Sequence, residues 1–421
     1  MVSAPQPTPP RPSLWRNRDY LLWFVGDFVA DAGSAIRAFA MPLIALAVTG
    51  SLSQTGVVGF VTSAVSVGLM IPGGLIADRI DRKKLLLWGH VFGATTWSAG
   101  VGLYLAGALN FVTLVILAVL TGARSGLFAG ASNAAIKQLV RDDQLTSAVA
   151  ANQGREAVIS LSSGPIGGLL LAISTIAPFV AQTIGHAIAW ITTRLIRTDL
   201  RPRSEEDEST NWRAQLREGS AWLKDHPTAM WLIAIAAVLN LGLNGVLSGL
   251  ILSLRHQGFT PATIGLVSSA IGIGMLLGSF AAPSIVKRVG LGMLFIGGIA
   301  WTVAFSALMG LSSWFPLILA SAGLSALMLA PVNSGLSGYF MAMIPNSKMG
   351  AITSVMGIVN MGLAPFAPLL AGLGLEYFGH RPTMIGFISL FAVGWAISLL
   401  VPSIRSVGRP DEWETGAQNA S

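Results

Sequence analysis

The sequence predicts an all-α membrane protein, with twelve transmembrane helices in two pseudo-symmetric six-helix bundles and both termini in the cytoplasm. Three observations carry that prediction. First, the 421 residues are 53% hydrophobic and only 11% charged, with a mean hydropathy of +0.67. Soluble domains carry about 25% charged residues, so this chain cannot present a polar surface to water all round, and much of it must face lipid. Second, apolar segments of spanning length, at least about 17 residues, recur along the chain. Third, Lys and Arg gather in alternate connections between those segments.

The composition also excludes other classes. Disorder needs low hydrophobicity, and a long coiled coil needs abundant Glu and Lys. The net charge of +7 would fit a nucleic-acid binder on charge alone. Basic cytoplasmic loops account for the same charge, so no nucleic-acid partner is expected. The chain has no cysteine, which excludes disulfides and thiolate metal sites.

Met1–Pro10 is polar and Pro-rich and lacks the basic start, apolar run and cleavage site of a signal peptide. Residues 1–13 therefore read as a cytoplasmic tail. The expected spans are 19–48, 54–77, 84–107, 110–138, 147–172 and 174–196, then 227–254, 261–286, 290–311, 313–342, 347–375 and 380–402. The first six make a bundle over 14–197 and the last six a bundle over 227–404. Between them, 198–226 forms a cytoplasmic linker, and 405–421 forms a tail on the same side.

Orientation follows from the connections. Those near Thr49–Gln54, Gly107–Asn110, Ser174–Ala177 and Ser312–Ser313 carry no Lys or Arg. The alternate ones carry Arg79, Arg82, Lys83 and Lys84, then Lys137 and Arg141, Lys287 and Arg288, and Lys348. Only Arg255 and Arg381 fall on the opposite side. The linker holds the acidic run Glu205–Glu208. Trp212, Leu216, Ala221, Trp222 and Leu223 follow, interleaved with Arg213, Arg217 and Lys224, a pattern that predicts an interfacial amphipathic helix.

The halves resemble each other. Asp78–Arg79 pairs with Lys287–Arg288, Ala131-Ser132-Asn133 with Pro331-Val332-Asn333, and Gly164-Pro165 with Ala367-Pro368. The repeat of about 200 residues is the signature of duplicated halves. Parallel halves place a substrate cavity at their interface, near the bilayer midplane.

The loop after the second span reads Gly74-Leu75-Ile76-Ala77-Asp78-Arg79-Ile80-Asp81-Arg82-Lys83-Lys84. It resembles the signature loop of the major facilitator superfamily, with Gly74, Asp78, Arg79, Arg82 and Lys83 matching and Asp81 in place of the usual glycine. Gly164-Pro165-Ile166-Gly167-Gly168 looks like the Gly-Pro motif of drug:proton antiporters, shortened by one position. Gly122–Gly168 and Gly219–Pro227 are similar to the branch of macrolide and siderophore exporters. The resemblance covers Asn17 to Pro402. It implies the major facilitator fold, a rocker-switch cycle and proton coupling in the plasma (inner) membrane. It also implies gating by the signature loop and helix packing by Gly164, Pro165, Gly167 and Gly168.

Charges inside spans are costly and face a cavity or a partner. They are Asp27, Asp31 and Arg37 in the first span, Arg124 in the fourth, and Arg155 and Glu156 in the fifth. Asp27 and Asp31 are four apart and share a helix face. At 1.5 Å per residue, Asp31 lies about 18 Å into its span, and Arg124 reaches similar depth from its own. Asp31 and Asp27 are the expected proton sites, with Arg124 as their tuning partner; a static ion pair is the alternative. Adjacent Arg155 and Glu156 point about 100° apart, so one faces the cavity and the other a neighbouring helix. Glu156 joins the proton-coupling set, or pairs with Arg37 or Arg124. Phe28, Asn240, Asn244, Asn333, Asn360 and Met361 are candidate cavity residues, with helix packing the competing role.

No phosphate-binding loop, nucleophile elbow or metal-ligand spacing occurs. The chain reads as a non-enzyme without cofactor, catalytic residue or metal. Its expected partners are protons, the bilayer and a small amphipathic substrate such as a drug, antibiotic or siderophore, moved by a monomer. Export by antiport leads, uptake of a metabolite by symport is the alternative, and a non-transporting sensor is a third reading that lacks a soluble module.

Overall fold

The computed structural model describes residues 14–201, 212–345 and 348–413. The tail over 1–13, the acidic run Glu205–Glu208 and residues 414–421 lie outside the described residues, as do the side chains of Asp78 and Asn133. All regular structure among the described residues is helical.

The first half contains α1 (Arg18–Thr49), α2 (Leu52–Arg79), α3 (Arg82–Leu105), α4 (Phe111–Leu139), α5 (Leu145–Ile173) and α6 (Ala177–Leu195). Local chemistry sets their ends. Asn17 caps α1 by accepting from the Asp19 and Tyr20 amides, and Gly50 closes it at φ 66°, a left-handed conformation that glycine adopts without strain. Ser51 caps α2. Asn110 and Thr113 form a reciprocal capping box on α4. Asp81, which replaces a motif glycine, caps α3 by accepting from the Lys83 amide at 2.9 Å.

A short α7 (Trp212–Asp225) precedes α8 (Pro227–His256), α9 (Pro261–Arg288) and α10 (Leu291–Leu311). The next two segments each fold as a pair of helices. One is α11 (Phe315–Leu327) with α12 (Leu329–Met343), and the other is α13 (Met349–Gly362) with α14 (Phe366–Tyr377). Proline explains both breaks: Pro331 cannot donate to the carbonyl four residues back, and Pro365 does the same at the second break. α15 (His380–Leu400) and α16 (Pro402–Arg405) complete the described chain.

Among the described residues, ten segments are long and apolar enough to cross a membrane, rather than the twelve expected. The other two candidates are α3 and α6, at 24 and 19 residues. Their length suffices, but Lys83, Lys84, His90, Thr95 and Thr96 in α3, and Gln182, Thr183 and His186 in α6, dilute their apolar character.

Packing repeats between the halves. α1 packs on α6, α3 on α6 and α2 on α4; correspondingly α8 packs on α15, α10 on α15 and α9 on α11. Small residues make the closest crossings, as expected where lipid removes much of the hydrophobic drive between helices. A side-chain carbon at Gly73 would strike the Gly126 carbonyl, and one at Gly274 would strike that of Gly323.

The halves meet through α5 on α9 and α14 on α2. Gly164 lies against Gly265 and Ser268, and Gly168 against Pro261 and Ala262. Gly56 lies against Pro368 and Gly372. Ser51 Oγ and the Ser53 amide donate to Glu376 Oε2 at 2.8 and 2.7 Å. All these contacts lie toward the helix ends opposite the strongly basic connections, on the side where only Arg255 and Arg381 fall.

The amphipathic α7 docks on protein rather than leaving its apolar face for lipid. Leu216, Trp222 and Leu223 pack with Ile233, Ile352 and Val355, and Gly219 abuts the Ala351 carbonyl.

Candidate functional site

A cavity of about 270 Å³ opens among α1, α3, α4 and α5. Asp27, Asp31, Arg124, Arg155 and Glu156 line it, together with Ser34, His90, Ser125, Phe128 and Ser132. Asp27 and Asp31 do share one face of α1. The guanidinium that meets them is Arg155, not Arg124. Arg155 Nη1 lies 2.5 Å from Asp27 Oδ2, and Nη2 donates to Asp31 Oδ2 at 3.1 Å. One arginine therefore bridges two carboxylates.

The bridge is graded in exposure. The Arg155 side chain is 3% exposed, Asp27 12% and Asp31 47%. Trp23 and Phe24 place their rings 5.5 and 5.7 Å from the guanidinium carbon, which shields it from one side. Ser132 Oγ donates to Asp27 Oδ1 at 2.5 Å and accepts from Trp23 Nε1 at 3.1 Å. The inner carboxylate is thus fully engaged, while the outer one faces the cavity. Glu156 is exposed toward the cavity and Arg155 buried toward α1, as their 100° separation requires.

Arg124 lines the same cavity but makes no ion pair among the described residues, and its Nε has no hydrogen-bond partner. It lies beside His186 across from Gly93. Arg37 sits over the Trp97 ring at 5.2 Å, again without an acidic partner among the described residues. Ion pairing of the first-half charges is uneven among the described residues: Arg155 takes both aspartates, Arg124 reaches them electrostatically without an ion pair, and Arg37 has no acidic partner.

The signature loop ties α3 to its own half. Lys83 Nζ donates to the Ile196 carbonyl at 2.6 Å, the Arg82 amide donates to the Leu200 carbonyl at 3.2 Å, and Arg82 is buried against α4. Arg79 is exposed, and nothing crowds Gly74. The carboxylate at the helix N-terminus is Asp81.

In the second half another cavity, about 140 Å³, is lined by Asn240 and Asn333 with Met328, Phe295 and Phe391. Asn240 donates to Asn360 at 3.5 Å, a long contact. Asn244 is exposed and donates to the Asn240 carbonyl within its own helix, and Met361 is exposed. Phe28 is half-buried and does not line the acidic cavity.

Residues 23–253 match the family described as Major Facilitator Superfamily. The chain belongs to this superfamily. Its major facilitator relatives include "Macrolide efflux protein A" of Streptococcus pyogenes, 24% identical over 94% of this chain and 98% of the relative. The "Enterobactin exporter EntS" of Citrobacter koseri is 26% identical over 94% of each chain. Among solved structures, a bacterial homologue of the iron transporter ferroportin in its inward-facing state aligns with a TM-score of 0.68 at 17% identity. That alignment covers 96% of this chain and 100% of the other. As a major facilitator protein the chain is a multi-pass membrane transporter, not an enzyme.

Sequence reasoning missed Ser132, His90, His186 and Gln182 as site residues. Ser132 stood only in a repeat match, and the histidines were too far apart in sequence to suggest a pair. Their location inside apolar segments was the available signal.

Proposed function

We propose that this transporter is a proton-coupled exporter of a small amphipathic compound, working by alternating access between 14–197 and 227–404. The observation that carries the reading is the Arg155 bridge to Asp27 and Asp31 on a cavity wall. Two carboxylates and one guanidinium sum to one negative charge, so one proton brings the cluster to neutrality. Asp31, the exposed member, takes that proton when the cavity opens outward, and Arg155 then loosens. Reopening inward releases the proton and restores a negative wall for substrate.

Export rather than uptake is supported by the relatives named for macrolide efflux and enterobactin export. The reading includes α3 and α6 as membrane-crossing helices, which brings the spans to twelve and both termini to the cytoplasm. It also takes a monomer in the plasma membrane as the working unit. The signature loop, with Gly74, Asp78, Arg79, Arg82 and Lys83, gates the cytoplasmic mouth, Arg82 and Lys83 holding α3 to α4 and to the end of α6 as the bundle moves.

The test is transport of a candidate compound into sealed inverted vesicles under an imposed proton gradient. Asp27→Asn and Asp31→Asn should each abolish the gradient-dependent component. If both variants retain it, the coupling assignment is wrong. Growth of cells with and without the protein on toxic compounds separates export, which protects, from uptake, which sensitises.

A further inference from the structure

A second polar cluster lies behind the acidic one, in the interior shared by α1, α3, α4 and α6. Arg124 and His90 form part of the cavity wall. Behind them stand His186 and Arg37. The His90 and His186 rings are 5.7 Å apart, and Arg37, Arg124 and His90 all lie within electrostatic reach of His186. Gly93 leaves the room they need: a side-chain carbon there would strike the His186 ring and Arg124 Nε. Arg37 lies over Trp97, one turn along the same face of α3.

The cluster is rich in donors and lacks a negative charge. Arg37 Nε and Arg124 Nε are buried without hydrogen-bond partners, as are His90 Nδ1 and His186 Nδ1. Gln182 Nε2 reaches Ser34 Oγ at 3.1 Å and His186 Nε2 at 2.8 Å, and so holds one edge in place. Every carboxylate–arginine pair of the neighbouring site goes to Arg155. Arg124 lies within electrostatic reach of Asp27 and Asp31, but both carboxylates are ion-paired to Arg155, and Arg37 rests only on the Trp97 ring, so the two guanidinium groups are incompletely compensated, which is costly inside a membrane protein. A small anion entering from the cavity offsets both charges at once.

We propose that Arg37 and Arg124, backed by His90 and His186, form an anion-binding site at the inner end of the first-half cavity. The ligand chemistry is a compact negative charge that accepts hydrogen bonds from two guanidinium groups. It is met by an inorganic halide or by the carboxylate of an organic acid. Guanidinium suits this role because it stays charged and offers several donors in a fixed plane.

The experiment is calorimetric titration of the full-length chain in detergent, in zwitterionic buffer, with sodium chloride, sodium benzoate and neutral benzamide. Saturable binding of chloride or benzoate, but not of benzamide, is expected. Arg37→Gln and Arg124→Gln should each weaken it by about tenfold or more, since each removes a charge-assisted hydrogen bond. Arg37→Lys and Arg124→Lys keep the charge and should bind measurably. They serve as the informative variants if the glutamine forms do not elute as a single folded species.

Chloride binding identifies a site for a counter-ion. Binding of benzoate alone identifies a site for the acid group of a transported compound. In that case anion and proton on Asp27, Asp31 or Glu156 favour one another, and the expected coupling becomes joint movement rather than exchange. No saturable binding, equal binding of benzamide, or unchanged affinity in the arginine variants overturns the proposal. Because no gradient is used, failure here is separate from failure of the proton-coupling test.

Discussion

Arg155 is the residue on which the first half turns. Nearly buried, it holds α5 to α1 through Asp27 and Asp31. Breaking a buried ion pair by removing one partner costs about 3–5 kcal/mol, because the remaining charge stays desolvated. Arg155→Gln should therefore lower the unfolding temperature of the purified chain. Adding Asp27→Asn to that variant should recover part of the loss, as a double-mutant cycle on thermal unfolding would register. If Arg155→Gln melts with the wild type, the bridge does not hold the helices together. Ser132→Ala should have a smaller effect, about 1–3 kcal/mol, by leaving the Trp23 indole donor and one Asp27 oxygen without their partner. At this scale the sequence disclosed which residues were out of place in lipid but not their pairing. Arg124 and Arg155 are equally conspicuous in an apolar stretch. Which one meets α1 depends on helix rotation, and small residues at the crossings set that rotation.

At the scale of elements, the contact between halves is a pair of related crossings, α5 on α9 and α2 on α14. Gly164 and Gly168 let α5 approach backbone to backbone. Gly168→Leu should wedge α9 away, leave membrane insertion intact and abolish transport, checked by expression level against uptake in vesicles. The absence of cysteine makes a second measurement direct. Ser53→Cys with Glu376→Cys replaces the polar tie between α2 and α14, and a short bifunctional thiol reagent should link them efficiently. A compound or gradient that opens this end should lower the yield; a yield insensitive to every condition would argue against motion here. Helix limits were largely legible, because capping residues and prolines act locally. The breaks near Met328 and Pro365 were not, because a proline inside a long apolar run can be absorbed or can split the helix, depending on its neighbours.

For the whole molecule, the proposed topology places Ser51, Ala108 and Gly379 on one side of the membrane and Arg79, Asp143 and Lys348 on the other. Single cysteines at Ala108 and at Lys348, probed with an impermeant thiol reagent on intact cells, should label from outside at the first and not at the second. Labelling of both would overturn α6 as a span, and labelling of neither would overturn α3 and α6 together. The two crossings between halves lie toward one set of helix ends, so the described conformation is pinned there, and a rocking motion must exchange these contacts for others at the opposite ends.

The sequence by itself determined the solvent, the helical class, most helix boundaries and the list of intramembrane charges, because these depend on composition, local hydrogen bonding and periodicity. The superfamily resemblance was legible too, since the loop after α2 is a contiguous string. Tertiary structure alone decided that Arg155 rather than Arg124 takes the aspartates, that His90 and His186 meet across 96 residues of chain, and that α7 docks on α13. Those outcomes depend on how far each helix is rotated and how closely it approaches its neighbour. Glycines on partner helices set that geometry jointly, so no single segment encodes it.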